Sequence, residues 1–249
     1  MKRLILNVGI FLLWSNLLFA GRYYDAAVGR FLQVDPHASK YPSWSPYVYT
    51  LNNPLRFLDP DGKDVKDIQK IVNSIHNDLN KAWEQSFNTD GSVLEVRGIV
   101  VSNDGRLYAK NVGPVNASGG NLDLTMSSSE NLEGSFHTHP YSKSEGGYTG
   151  VAFSGKDIKT QGSGKFGKIM IIEAGSQRFA IEITDTKLAK EFVSKNNIIK
   201  MWNDAYKNAK GTFQEKVKSA VSSIINAKNN GMKFYESIDD KKKKFQEVE

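Results

Sequence analysis

The sequence predicts a mixed α+β protein, with a central β-sheet flanked by helices. Three observations predict it. Residues 64–87 carry apolar positions at spacings of three and four, the signature of an amphipathic helix. Residues 93–183 hold short β-rich runs separated by turn residues. Beyond residue 187 two further amphipathic stripes follow, of the kind that pack on a sheet.

Taken in order, the chain begins with Met1-Lys2-Arg3, an apolar run from Leu4 to Phe19, and Ala20-Gly21. Two positive charges, a short apolar stretch and a small residue form a signal-peptide pattern. The run is short for a membrane span and contains Asn7, Ser15 and Asn16. The other reading of residues 1–20 is a severed strand of a larger protein. Residues 21–62 are rich in Tyr, Pro, Asn and Gly. Tyr47-Val48-Tyr49 reads as strand, and Asn52-Asn53-Pro54 and Asp59-Pro60-Asp61-Gly62 read as turns.

The helix of residues 64–87 buries Val65, Ile68, Ile71, Val72, Ile75, Leu79, Ala82 and Trp83, with Asp64 as its cap. His76 falls near that face and reads as structural. Val93–Ser102 and Arg106–Val112 form strands around the turn Asn103-Asp104-Gly105. Gly113–Ser129 reads as loop, and Gly134–His139 as strand. Lys168–Glu173 and Arg178–Ile183 flank a second hairpin turn. One closing helix holds Leu188, Phe192, Ile199, Trp202 and Tyr206. The other holds Phe213, Val217, Val221 and Ile224, and Gly211 separates them. The tail Lys241–Lys244 carries much of the formal net charge of +6. It reads as a solvated or frayed end, or as an attractor of nucleic acid or anionic lipid.

Apolar content of 39% is enough to bury a core. The absence of cysteine excludes a disulfide scaffold, a thiolate nucleophile and a thiolate zinc site. A metal would have to be held by His, Asp and Glu.

Two of the four histidines lie one residue apart in Gly134-Ser135-Phe136-His137-Thr138-His139-Pro140. In a strand, residues i and i+2 share a face, so His137 and His139 can offer two imidazoles to one point. Neutral imidazole suits zinc. Such a pair alone also fits half-buried, hydrogen-bonded structural histidines. A catalytic zinc has three protein ligands. Asp157, at the expected start of a helix, would complete a His2Asp set. Ser154, three residues earlier, would face the open coordination position. Glu95 sits in an apolar strand context, where a lone carboxylate costs free energy without a partner. A cation or a shared water would supply one.

These pieces together resemble the JAB/MPN metallopeptidase family, also called JAMM. Its pattern is ExxG, HxHP and SxxD, found here at Glu95–Gly98, His137–Pro140 and Ser154–Asp157. The resemblance covers roughly residues 64–186 and implies a cytidine-deaminase-like fold with a Zn2+ site. It implies that His137, His139 and Asp157 bind zinc, that Glu95 is the general base and acid, and that Ser154 stabilises the oxyanion. The interval between His139 and Asp157 is longer than is usual in the family, the excess falling in a Gly- and Ser-containing loop. Glu130 and Glu133 lie near His137 but lack the ExxG context.

A second resemblance lies upstream. Tyr24-Asp25, Gly29-Arg30-Phe31, Asp35-Pro36, Tyr47-Val48-Tyr49, Asn52-Asn53-Pro54 and Asp59-Pro60-Asp61-Gly62 resemble the C-terminal end of an RHS-repeat-associated core. In that family this end precedes a variable effector, often a toxin. The implied organisation is a leader or truncated strand at 1–20, a core remnant at 21–62, a metallopeptidase domain at 63–186 and a helical extension with a basic tail at 187–249. The implied function is a secreted zinc hydrolase that cleaves an amide or isopeptide bond of a protein or peptide. An immunity protein would be a partner, and a membrane would be met only through an uncleaved leader. A truncated gene would instead leave a cytoplasmic fragment. The alternatives are a metal-free scaffold of the same fold and a toxin of another activity such as a nuclease. No nuclease motif is present, and the basic residues are not concentrated around the candidate site.

Overall fold

The structure is a computed structural model. It describes residues 16–19, 22–25, 27–35, 38, 45–49, 68–115 and 122–248. Most of the leader-like run, the turns at 52–54 and 59–62, and the expected Asp64 cap lie outside the described residues. The chain divides into two compact units, Met1–Asp67 and Ile68–Glu249.

In the first unit, β1 (Asn16–Phe19), β2 (Arg22–Asp25) and β3 (Arg30–Phe31) form an antiparallel sheet. Four of the quoted motif residues, Tyr24, Phe31, Asp35 and Tyr49, make contacts in this unit. Tyr24, Phe31 and Tyr49 form an aromatic cluster with ring centroids 4.5 to 5.9 Å apart. Arg22 lies 3.7 Å over the Phe31 ring and pairs with Asp35 at 3.0 Å. Tyr24, Phe31 and Asp35 of the quoted motifs are thus joined through Tyr49 and Arg22 in one aromatic and ionic knot.

The second unit is mixed α and β, with a seven-stranded sheet and six α-helices among the described residues. Its strands are β4 (Val96–Asn103), β5 (Arg106–Pro114), β6 (Asn131–Thr138), β7 (Ile169–Glu173), β8 (Arg178–Ile183), β9 (Met232–Ser237) and β10 (Phe245–Glu247). Their order is β10-β9-β8-β7-β6-β4-β5, and only β6 and β7 run parallel. Helix α3 (Gly155–Gly162) lies in the crossover between those two strands.

Alternation along β7 divides the core. Ile169 and Ile171 face a cluster with Ile68, Ile71, Val72, Ile75 and Leu79 of helices α1 (Ile68–Ser74) and α2 (His76–Gln85) and the residue between them. Met170 and Ile172 face the opposite cluster. That cluster includes residues of α3, α4 (Thr186–Lys195), α5 (Ile198–Asn208) and α6 (Phe213–Ile225). Ile75 and Leu79 are fully buried, and each burial contributes about 1.5–3 kcal/mol relative to exposure.

The expected helix of residues 64–87 is broken after Ser74. The Ser74 hydroxyl donates back to the Lys70 carbonyl at 2.9 Å, a bond that bends helices. The first closing helix is divided at Asn196-Asn197, where the Asn197 side chain caps α5. The tail departs most from expectation. Residues 187–249 hold helices, as expected, but also β9 and β10, which extend the sheet beyond β8 to its edge. The basic run is not simply a solvated end either. Lys242 Nζ donates to Glu173 Oε1 at 2.6 Å and to the Gly175 carbonyl at 2.7 Å.

Glu173 and Arg178 are both fully buried and are paired at 2.5 Å. Arg178 also donates to Asn80 Oδ1 at 2.7 Å and meets His76 Nδ1 at 2.8 Å. A guanidinium only donates, so His76 accepts. Burial first, then the Arg178 charge, lowers the His76 pKa, which fits the structural role expected for it. Arg178→Ala leaves the Glu173 carboxylate short of a buried partner. We expect a loss of about 3–5 kcal/mol of unfolding free energy in urea titration, the usual cost of breaking a buried pair. A loss under about 1 kcal/mol would show the network to be dispensable.

Candidate metal centre

Strand β6 carries the centre. Phe136 belongs to the core beneath α1 and α2, so Ser135 and His137 face the α3 side. The ring of Phe136 lies over Gly98, its cross-strand partner. A Cβ at Gly98 would sit 2.5 Å from that ring, so the glycine of ExxG is a packing requirement. Thr138 points the other way and is fully buried. Its hydroxyl meets Ser86 Oγ at 2.7 Å and accepts from the Val96 amide at 2.9 Å. The ladder ends there, but the His139 amide still donates to the Glu173 carbonyl at 3.1 Å. Sequence reading missed Thr138 as the anchor between the two histidines. Its place on the opposite face follows from the same alternation.

Asp157 arrives on α3. Ser154 caps that helix, and Trp202 Nε1 on α5 donates to the Phe153 carbonyl at 3.0 Å, fixing the chain just before the cap. Asp157 Oδ2 accepts from the Ser154 amide at 2.8 Å and from the Ser154 hydroxyl at 2.7 Å. The hydroxyl expected to face an open coordination position is therefore bonded to Asp157 in this structure.

The donor atoms converge. His137 Nε2 and His139 Nε2 are 3.0 Å apart. His137 Nε2 is 3.4 Å from Asp157 Oδ1, and His139 Nε2 is 3.6 Å from Asp157 Oδ2. One ligand atom from each residue lies within 4.8 Å of the others. Tetrahedral zinc with bonds of about 2.0–2.1 Å separates its ligands by about 3.3–3.4 Å, so the set fits a zinc ion. The tautomer fits as well. His139 Nδ1 is 3.3 Å from the Val151 carbonyl, which can only accept, so in the neutral ring Nδ1 carries the proton and Nε2 keeps a lone pair. Such outer hydrogen bonds orient metal-binding histidines.

Glu95 lies just before β4, lines the same cavity of about 580 Å³ as the three donors and Ser154, and pairs with Arg97 at 2.7 Å. The other two carboxylates are elsewhere. Glu133 accepts from Ser102 Oγ at 2.6 Å. Glu130 is held at about 2 by hydrogen bonds from Lys110, then Tyr108, then the Ser127 amide, which makes it a poor base at neutral pH. Neither lines the cavity.

Burial opposes ionisation of Asp157, but the His137 charge and hydrogen bonds from both imidazoles hold its carboxyl well below the usual range. Burial likewise opposes protonation of His139. The Asp157 hydrogen bond and charge, the Glu95 charge and the Val151 carbonyl together raise its pKa above 6.5.

The signs fix the pH behaviour of the metal-free chain. The depressed Asp157 contributes stability above its unfolded pKa, lost as pH falls through its folded value. The raised His139 contributes stability that is full below about 6.5 and lost as pH rises through its folded value. Zinc must displace that imidazole proton. Zinc affinity, measured by competition with a chromophoric chelator, should therefore fall by about tenfold or more between about pH 8 and about pH 6. A pH-independent affinity would remove His139 from the ligand set. No family model, curated protein or solved structure matches the chain.

Proposed function

We propose that Ile68–Glu249 is a zinc-dependent hydrolase of the JAB/MPN type that cleaves an amide or isopeptide bond of a protein or peptide. In this reading it is the effector cassette behind an RHS-core remnant, exported against a target and neutralised in its producer by an immunity protein. The observation that carries the reading is the convergence of His137, His139 and Asp157 in a cavity that Glu95 also lines.

Zinc, when bound, supplies Lewis-acid chemistry: it polarises a carbonyl and lowers the pKa of water. The chain's residues do the rest. His137 and His139 are held by the Thr138 anchor, and His139 by the Val151 carbonyl as well. The Ser154 cap engages Asp157 Oδ2 and leaves Oδ1 turned toward His137. Glu95 is the base that takes a proton from the attacking water and returns it to the leaving amine. Ser154 has its amide and hydroxyl beside the cluster. Its primary task is to hold Asp157, and a shift of that hydroxyl toward the substrate oxygen would add oxyanion stabilisation.

Glu95→Gln keeps the shape and removes the base. It should leave zinc content near wild type and lower hydrolysis, or toxicity on expression without an immunity partner, by roughly 10²–10⁴. His137→Ala should lose zinc and activity together. Full activity in Glu95→Gln would reassign the base. Indifference of a measured activity to both changes would sink the hydrolase reading.

A further inference from the structure

We infer that the candidate metal cavity takes an amide whose neighbouring group is a carboxylate, and that Arg97 is the residue that selects it. This inference rests on the hydrolase reading for the identity of the scissile bond, but not for the anion preference.

Arg97 is the antiparallel partner of His137. Residues directly opposite share a face, with Cβ atoms about 4.5–5.5 Å apart. The guanidinium therefore flanks the metal ligand on the substrate side of the sheet, and it lines the cavity. It has five N–H donors. One goes to Glu95 Oε2 at 2.7 Å, and the others make no hydrogen bond among the described residues. The side chain is 35% exposed, so those donors are open to a ligand.

Charge points the same way. The carboxylates that line the cavity are Glu95 and Asp157, and the cations are Arg97 and Lys156. Lys156 follows the first residue of α3, is exposed, and pairs with no carboxylate among the described residues. With neutral imidazoles these four charges cancel, so a divalent ion leaves the cavity positive. A carboxylate beside the scissile amide meets a forked donor built for it. Leu122, Phe166 and Met170 also line the cavity and give an adjoining apolar side chain a surface to bury.

The ligand class is thus a peptide-like acid with an apolar side chain. N-acetyl-L-phenylalanine and its neutral twin N-acetyl-L-phenylalaninamide are suitable probes. Their binding to the full chain is measured by calorimetry with zinc and with chelator, and zinc content is determined in the same samples. The zinc-loaded wild type should bind the acid at least about tenfold more tightly than the amide. Arg97→Gln should bring that ratio to about one, and Arg97→Lys should keep part of it. Lys156→Gln, which leaves the Glu95 pair alone, should reduce it by about two- to threefold. Any contact of the acid with zinc is common to all variants, so the change in ratio isolates the side chain. In chelator-treated protein a preference of at least about threefold should persist and should still depend on Arg97. Chains that bind no zinc but keep an Arg97-dependent preference would fail the hydrolase reading and uphold this one. Equal binding of the two probes by wild type, or an unchanged ratio in a folded Arg97→Gln variant, overturns it.

Discussion

The buried hydroxyl of Thr138 is the contact on which the centre depends. It joins the end of β6 to the C-terminal end of α2 through Ser86 and to the first residue of β4 through the Val96 amide. With Thr138 committed to one face, strand alternation leaves His137 and His139 no choice but the other. The same strand pairing sets Arg97 opposite His137, and Glu95, two residues earlier, lines the same cavity. His137, His139 and Arg97 thus gather at one place through a single period-two constraint.

The third donor is delivered by a different kind of packing. Asp157 lies on a short helix whose start is fixed from outside. A Cβ at Gly155 would lie 2.9 Å from the Trp202 side chain and 3.1 Å from the Ile199 backbone, so the glycine lets α3 press against α5. Trp202 also holds the Phe153 carbonyl. The closing helices are therefore part of the site's frame. The long segment between Pro140 and Ser154 is packed as well. Tyr141 and Tyr148 in that segment form edge-on and tilted ring contacts with Phe213 of α6. Tyr141 also lines the cavity, so this packing fixes one part of its wall.

Much of this was legible in the sequence because it rests on local periodicity. Both hairpins and the amphipathic faces of all three helical regions follow from alternation or 3.6-residue spacing, and so does the shared face of His137 and His139. The HxHP and SxxD spacings led to three residues that the fold brings together. Part of what stayed hidden depends on long-range partners. Met232-Lys233-Phe234-Tyr235-Glu236 alternates as a strand should, with Met232, Phe234 and Glu236 buried, but its partner β8 lies some fifty residues earlier in the chain. Lys242 reads as solvated until Glu173, 69 residues away, supplies its partner. The bend at Ser74 and the Arg97–Glu95 pair are side-chain events that no apolar pattern encodes.

The central claim is that two imidazoles and one carboxylate hold a zinc ion, and X-ray absorption on the zinc-reconstituted full chain tests it most directly. The account predicts about four nitrogen or oxygen scatterers at about 2.0–2.1 Å, with the multiple-scattering pattern of two imidazoles, and loss of one imidazole in His139→Ala. A six-oxygen shell without imidazole scattering, or no zinc retained after desalting, would contradict it.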